Sequence, residues 1–448
     1  MAHRPLVIIH GWSDDSSSFE KLASLLAAEL GRHVHMIDLA DYESMDDDVT
    51  FDDVITQMDF AWTQHNLPRG KASVDVVVHS TGGLVIRDWL TRNFKPNASP
   101  IKHLVMLAPA NFGSPLAHKG YSFLGRIVKG WTSAKMFQTG RHILDGLELA
   151  SPYSWNLAMA DRLMTRVDDC MFRKGQTLCT VLVGNKGYKG ISAAANEPGS
   201  DGTVRVSTAN LNCAHITADF SKNPLKPKYS LRLSKGRCAF GVMDGENHSS
   251  IAGKQDGFQN KGTLANIVRG LTVTDAQFAG WCNKLQAATD AVMEKRKSKS
   301  YTHGYQNTVF RVRDQFDSDV KDYFLEFYVE DDDTGWFSEM FHRDAIRTVH
   351  AYGNNASYRA VLVDCTVLHR KIDKKDESLK MSLTAVPEIS QHGKVGYRTF
   401  ADDDIGGIEI TKENVAKMFK ENRTVLVDVI LKREQVRGEV FDFKQASG

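Results

Sequence analysis

The stretch Val74-Asp75-Val76-Val77-Val78-His79-Ser80-Thr81-Gly82-Gly83-Leu84-Val85-Ile86-Arg87 decides how the rest of the chain is read. Its β-branched run, Val74 and Val76 to Val78, predicts a parallel strand buried on both faces. Gly82 and Gly83, followed by Leu84, Val85, Ile86, Trp89 and Leu90, predict a helix packed back on that strand. Ser80 stands between the two. A strand that reverses into a helix over a few residues leaves the residue at the apex with strained backbone angles and holds its side chain above the sheet, over the helix N-terminus. Glycines are expected on the helix side because a Cβ there meets the strand. A buried strand followed by an ordinary glycine-started helix would use the same residues, so the flanking segments decide.

Those segments alternate. Pro5 to Ile9 is an apolar strand, followed by the loop His10-Gly11-Trp12-Ser13-Asp14-Asp15-Ser16-Ser17-Ser18 and a helix from Phe19 to Leu30 with apolar positions at Phe19, Leu22, Leu25, Leu26 and Leu30. Val34 to Leu39 is a second strand. Residues 51 to 66 carry Val54, Ile55, Met58, Ala61 and Trp62 at helical spacing, and Ile101 to Ala108 is again a strand. Strand and helix in turn predict a doubly wound, mostly parallel α/β sheet. From about 116 to 173 the rhythm breaks into aromatic and methionine residues at helical spacing, among them Tyr121, Trp131, Met136, Phe137, Trp155 and Met164. These predict a helical cap over the sheet. Leu178 to Gly184 returns to strand, as do Tyr229 to Leu233 and Arg237 to Val242. The loop Asp244-Gly245-Glu246-Asn247-His248-Ser249-Ser250-Ile251 then puts a histidine just beyond the final strand.

Val78-His79-Ser80-Thr81-Gly82 resembles the nucleophile elbow of the α/β-hydrolases, in particular the lipases and esterases, whose pattern is Gly-x-Ser-x-Gly. Valine replaces the first glycine here. His10-Gly11-Trp12 resembles the lipase His-Gly segment, and Pro109-Ala110-Asn111-Phe112-Gly113-Ser114 resembles the loop that lines the acyl site. Gly199-Ser200-Asp201-Gly202-Thr203-Val204 resembles the segment that supplies the acid. The resemblance implies Ser80 as nucleophile, Asp201 as acid and His248 as base, in the family's chain order, with the N–H groups of Trp12 and Thr81 as oxyanion donors. It places His10, Gly11, His79 and Phe112 around the substrate, and it turns the 116–173 cap into a lid over an acyl-chain pocket. His10, His79 and His215 compete with His248 on residue type, and Asp219, Asp244 and Asp256 compete with Asp201. An unaided serine is too weak an acid to attack an ester. A histidine that takes its proton, oriented by a carboxylate, supplies what it lacks.

The 448 residues exceed one ordinary core and predict more than one domain, and 42% hydrophobic residues supply ample material to bury. The formal net charge is +1, from 56 basic and 55 acidic residues, so the balance implies no nucleic-acid partner. Six cysteines, Cys170, Cys179, Cys213, Cys238, Cys282 and Cys365, have no metal-ligand spacing and are expected to be free, buried thiols. The acidic run Asp46-Asp47-Asp48 lacks the spacing of a calcium loop and is expected to be solvated. No metal or other cofactor is implied. The N-terminus enters a strand without a secretory leader and no run is long enough for a membrane span, so a cytoplasmic protein is expected, with non-standard export compatible.

The helices from Gln259 to Leu271 and from Asp275 to Met293 close a catalytic domain expected over residues 1–293. Glu294-Lys295-Arg296-Lys297-Ser298-Lys299-Ser300 begins a linker expected over 294–305. Beyond it, period-two runs such as Val309 to Arg313, Tyr323 to Val329, Tyr358 to Leu368, Leu379 to Ala385 and Thr424 to Leu431 predict an antiparallel β-sandwich over 306–448. Acidic turns at 330–333 and 402–404 resemble the loops of calcium- and lipid-binding sandwiches, and a docking role toward a protein partner or a peripheral membrane contact is compatible with this domain. The expected activity is hydrolysis of carboxylic esters of lipids, by a lipase, esterase or phospholipase. A non-catalytic lipid- or protein-binding module on the same fold is the alternative from another class, and an acyltransferase would share the three residues.

Overall fold

The computed structural model describes residues 4–10, 16–37, 48–117, 140–254, 257–297, 303–328, 336–375, 379–389, 395–398 and 408–435. The chain divides into two compact units: Met1–Cys213 with Leu233–Tyr305 and Asn422–Thr424, and Ala214–Arg232 with Gln306–Glu421 and Val425–Gly448.

The first unit is organised on a six-stranded sheet whose pairings are all parallel. Its strands are β1 (Leu6–Ile9), β2 (Val34–Ile37), β3 (Val74–His79), β4 (Ile101–Leu107), β5 (Leu178–Gly184) and, from later in the chain, β8 (Ala239–Met243), in the order β2-β1-β3-β4-β5-β8. Because successive side chains of a strand point to opposite faces, Val76 and Val78 enter one core and Val77 the other. The Val76 and Val78 face is covered by α2 (Phe51–Gln64) and α3 (Gly82–Asn93), and the opposite face by α1 (Glu20–Leu30), α7 (Thr263–Thr272) and α8 (Phe278–Lys297). Helix α2 starts with a reciprocal cap in which the Thr50 hydroxyl accepts from Asp53 N–H and the Asp53 carboxylate accepts from Thr50 N–H. It then buries Val54, Ile55, Met58 and Trp62 at helical spacing. Of the expected lid, 118–139 lie outside the described residues. The described remainder contains α4 (Arg141–Leu147) and α5 (Pro152–Asp161), helical as expected, and a single turn, α6 (Val206–Ala209), follows β5.

The second unit holds two sheets. A seven-stranded one runs β11 (Ile346–Ala351), β12 (Tyr358–Asp364), β9 (Tyr305–Asp314), β16 (Arg423–Gln435), β6 (Ala214–Asp219), β7 (Lys228–Leu233), with β14 (Val395–Arg398) on β16. A three-stranded antiparallel sheet joins β10 (Tyr323–Tyr328), β13 (Leu379–Ala385) and β15 (Ile408–Ile410). The helices α9 (Trp336–Asp344), α10 (Cys365–Lys375) and α11 (Lys412–Met418) complete it. The core contains Phe310, Val312, Phe341, Leu368, Leu383 and Val429, all buried.

Three features differ from the sequence expectation. The second unit is not a wholly antiparallel sandwich, since β6 and β16 pair in parallel and the run expected as strand from Tyr358 to Leu368 ends at Asp364, where the helical spacing of Leu368 and Ile372 takes over in α10. Residues 214–232, expected within the first domain, form strands of the second unit, where Ala214 to Asp219 pair in parallel with Val425 to Ile430. Period-two texture identifies a strand but not its partner, and this one pairs with a strand some two hundred positions away. The expected linker is partly helix, since α8 runs on to Lys297 before residues 298–302, which lie outside the described ones. All six cysteines are free and buried, as expected.

Candidate active site

Ser80 sits at the carboxyl end of β3 with φ +54, the left-handed region that a non-glycine residue enters at a cost of about 1–3 kcal/mol. The surroundings hold it there: Ser80 N–H donates to the Leu107 carbonyl at 3.1 Å, and the Ser80 carbonyl accepts from Gly83 N–H at 3.1 Å and Ala110 N–H at 3.3 Å. The helix can start this close because of Gly83, where a Cβ would lie 2.6 Å from Pro109 Cβ. Val78, in place of the family's first glycine, is an ordinary extended residue of β3 with its side chain fully buried. The strain falls on the serine alone, so the missing glycine leaves the turn intact.

Asp201 and His248 reach the same point from loops after β5 and β8. His248 Nε2 lies 3.0 Å from Ser80 Oγ, and His248 Nδ1 lies 3.0 Å from Asp201 Oδ2. Asp201 is fully buried, and its other oxygen accepts the N–H groups of Thr203 at 2.9 Å and Val204 at 2.7 Å. The two loops are also joined through the backbone, His248 N–H donating to the Asp201 carbonyl at 3.0 Å. With Asp201 accepting the Nδ1 proton, Nε2 faces the serine with a lone pair, the arrangement a base needs.

The remaining expected residues take varied places. Thr81 caps α3 and is buried, with its backbone among the first-turn amides that have no partner within a helix. Gly11 and Trp12 lie outside the described residues. His79 is buried behind the site rather than on a substrate surface, its Nε2 donating to the His248 carbonyl at 2.9 Å. His10 stacks on Phe19 with centroids 5.5 Å apart, and Phe19 and His248 both pack against the His79 ring. Phe112, expected at the substrate, is in the core with the Arg87 guanidinium 5.9 Å from its ring centre. Among the competitors, Asp244 accepts from the Asn185 amide at 3.2 Å, and Asp219 accepts from Ser221. His215, in β6 of the second unit, is pushed down to about 4 by burial and by Arg232. Asp256 and the acidic turns 330–333 and 402–404 lie outside the described residues, and among the described residues no cluster of His, Cys, Asp or Glu could hold a metal ion.

One residue that sequence reasoning missed is Glu246, two positions before the histidine and fully buried. Its carboxylate accepts from the Ser250 hydroxyl, from the N–H groups of Gln259 at 3.1 Å and Asn260 at 2.9 Å, and from the Thr263 hydroxyl at 2.7 Å. Its carbonyl accepts from Asn185 and Lys186 N–H, both at 3.0 Å. Gly184 admits this approach, since a Cβ there would lie 2.3 Å from the Glu246 carbonyl oxygen. The histidine loop is thus tied to β5 on one side and to the start of α7 on the other. An acid in a loop of Gly, Asn and Ser reads as solvated until the distant donors are known.

Residues 6–194 match the model of a family described as the alpha/beta hydrolase family. No curated protein matches the chain. Among solved structures, phospholipase PlaB from Legionella pneumophila is similar with a TM-score of 0.77 at 23% identity, over 98% of this chain and 97% of that one. The same protein in complex with thio-NAD gives the same values. The mature lipase BlEst2 from Bacillus licheniformis, at a TM-score of 0.36 and 16% identity over 59% of this chain and 90% of that one, is too distant to bear on the fold. By the family match over residues 6–194 and by the all-parallel sheet that turns into a helix at Ser80, the first unit of the chain has the α/β-hydrolase fold.

Proposed function

We propose that the first unit hydrolyses carboxylic esters of lipids, with Ser80 as nucleophile, His248 as general base and Asp201 as its orienting acid. The observation that carries this is the single imidazole between a buried carboxylate and a strained serine, 3.0 Å from each. Ser80 Oγ attacks the ester carbonyl carbon as its proton passes to His248 Nε2. The negative charge that develops on the carbonyl oxygen is received by the backbone N–H groups assigned to Trp12 and Thr81, each worth about 3 kcal/mol. Collapse expels the alkoxide, which takes the proton from His248. Water, deprotonated by the same nitrogen, then releases the acid from the acyl-serine.

The lipid part of the proposal draws on two further observations: the apolar segment over 116–173, and a fold shared along nearly the whole chain with a phospholipase. A panel of p-nitrophenyl esters and phospholipids, assayed on the native chain and on Ser80→Ala, tests it. Expected are release of fatty acid, labelling by a fluorophosphonate, and loss of both in Ser80→Ala. An unlabelled native chain would instead favour a binding module, and acyl transfer to an alcohol in preference to water would favour an acyltransferase.

A further inference from the structure

The second unit contains a cavity of about 280 Å³, at the small end of ligand pockets, which run from about 300 to 1,000 Å³. Its walls are apolar, with Phe310 and Val427 from the seven-stranded sheet, Phe327 and Met381 from the three-stranded one, and Phe419 after α11. The buried polar residues in the lining are satisfied within the protein. Gln306 Nε2 donates to Thr308 Oγ1 at 3.0 Å, and Gln306 Oε1 accepts from Lys420 N–H at 2.9 Å. The cavity therefore asks its occupant for apolar surface rather than for hydrogen bonds.

Exposed lining residues come from β7 and from α11, the apolar ones from β7. Tyr229 and Leu231 line the cavity and still leave 54% and 51% of their surface to solvent, and Leu225 in the preceding turn leaves 64%. From Phe220 to Met243 the chain has no Asp or Glu. Lys222, Lys226 and Lys228 are exposed, and Arg232, half-buried, donates to His215 Nδ1 at 3.2 Å. Along β7 the side chains alternate, so Arg232 lies with His215 on the face away from the cavity. The cations that flank the exposed Leu225, Tyr229 and Leu231 are those of the preceding turn and the strand start, Lys222, Lys226 and Lys228. Exposed apolar side chains flanked by cations, beside an apolar cavity, fit a surface that is itself apolar beneath a layer of anions.

We propose that this face of the second unit docks on an anionic bilayer and that one acyl chain of an anionic phospholipid enters the cavity. A soluble fatty acid fits less well, because the cations are spread from 222 to 228 rather than gathered around one carboxylate, and Leu225 continues the apolar surface beyond the cavity lining. The cavity is lined by residues of the second unit, and the proposal stands whether or not Ser80 reacts.

The test uses the full-length chain carrying Ser80→Ala, so that lipid is not consumed, with vesicles of phosphatidylglycerol or of phosphatidylcholine. Sedimentation is expected to show binding to phosphatidylglycerol at least about 10-fold tighter, weakening with salt, and Lys226→Glu with Lys228→Glu is expected to remove that advantage. Phosphatidylglycerol labelled at the end of one chain reports cavity entry. Its emission is expected to shift to the blue on the parent and to lose the shift in Ala218→Phe, which fills the cavity. Leu231→Ser, at an exposed position, repeats this arm if the larger side chain disturbs folding, with thermal unfolding as the control. Equal binding to both vesicle types, no binding, or parent-like binding by the charge-reversed variant would overturn the docking. Uptake of soluble palmitate without vesicle binding would assign the cavity to a free fatty acid and overturn the bilayer.

Discussion

The sheet of the first unit carries two histidine–carboxylate pairs, at opposite ends of β3, and they differ in what the second ring nitrogen meets. At the carboxyl end His248 has Asp201 on Nδ1 and the Ser80 hydroxyl on Nε2. At the amino end His103 has Asp75 on Nδ1 at 2.7 Å and the Val273 carbonyl on Nε2 at 2.8 Å. A carbonyl only accepts, so both nitrogens of the His103 ring face acceptors and neither faces a group whose proton it could take. A hydroxyl gives or receives, so the His248 ring can act as a base. The carboxylates differ too. Asp201 is held by neutral backbone amides, whereas Asp75 also receives the Arg32 guanidinium at 2.7 Å. Burial disfavours the Asp75 charge, but His103 and Arg32 outweigh it and hold its carboxyl below the usual carboxylate range. A buried His–Asp pair is therefore a strut or a catalyst according to the third partner.

Exchanging the roles by mutation breaks the comparison. Ser80→Ala and His248→Ala are expected to lower kcat by about 10⁴-fold or more and Asp201→Asn by about 10⁴-fold, with the folded state retained, as measured by ester turnover and circular dichroism. His103→Ala is expected to do the reverse: kcat stays near native, while urea unfolding loses about 2–4 kcal/mol because Asp75 keeps its burial and loses one partner. If His103→Ala abolished turnover at full stability, the distinction between strut and catalyst would be lost. Gly83→Ala should cost about 1–3 kcal/mol, since the added methyl meets the Pro109 ring, and should slow turnover with it because the Ser80 turn must shift.

The smallest effect concerns pH. Asp75 has a lowered pKa in the fold, so the stability it contributes is present above the unfolded carboxylate value, near 4, and is lost as pH falls through the lower folded value. The acid limb of a urea-unfolding series should be shallower in Asp75→Asn than in the native chain, and an unchanged limb would remove Asp75 from the account.

The Ser80 turn was legible because the strand, the apex and the two glycines lie within a dozen residues and each has a local steric reason. Asp201 and His248 were legible only through their order along the chain and the resemblance to a family. Nothing local separates Asp201 from Asp244, which sits in a similar glycine turn. The support was not legible at all. Glu246 gathers Ser250, Gln259, Asn260 and Thr263, and His79 turns to the His248 carbonyl, through hydrogen bonds whose partners reach 169 positions apart. The hairpin 214–232 was legible as strand, but its membership of the second unit was not.

The sequence by itself determined what short-range sterics and periodicity dictate: which segments are buried strands, which are helices, and where a strand must turn sharply enough to strain a serine. Only the tertiary structure decided which strand lies beside which, what each histidine finds on its second nitrogen, and which carboxylates are sheltered by amides or by a cation. Backbone propensity acts over a few residues, whereas the partners of a buried polar group are whatever the packed sheet brings within 3 Å.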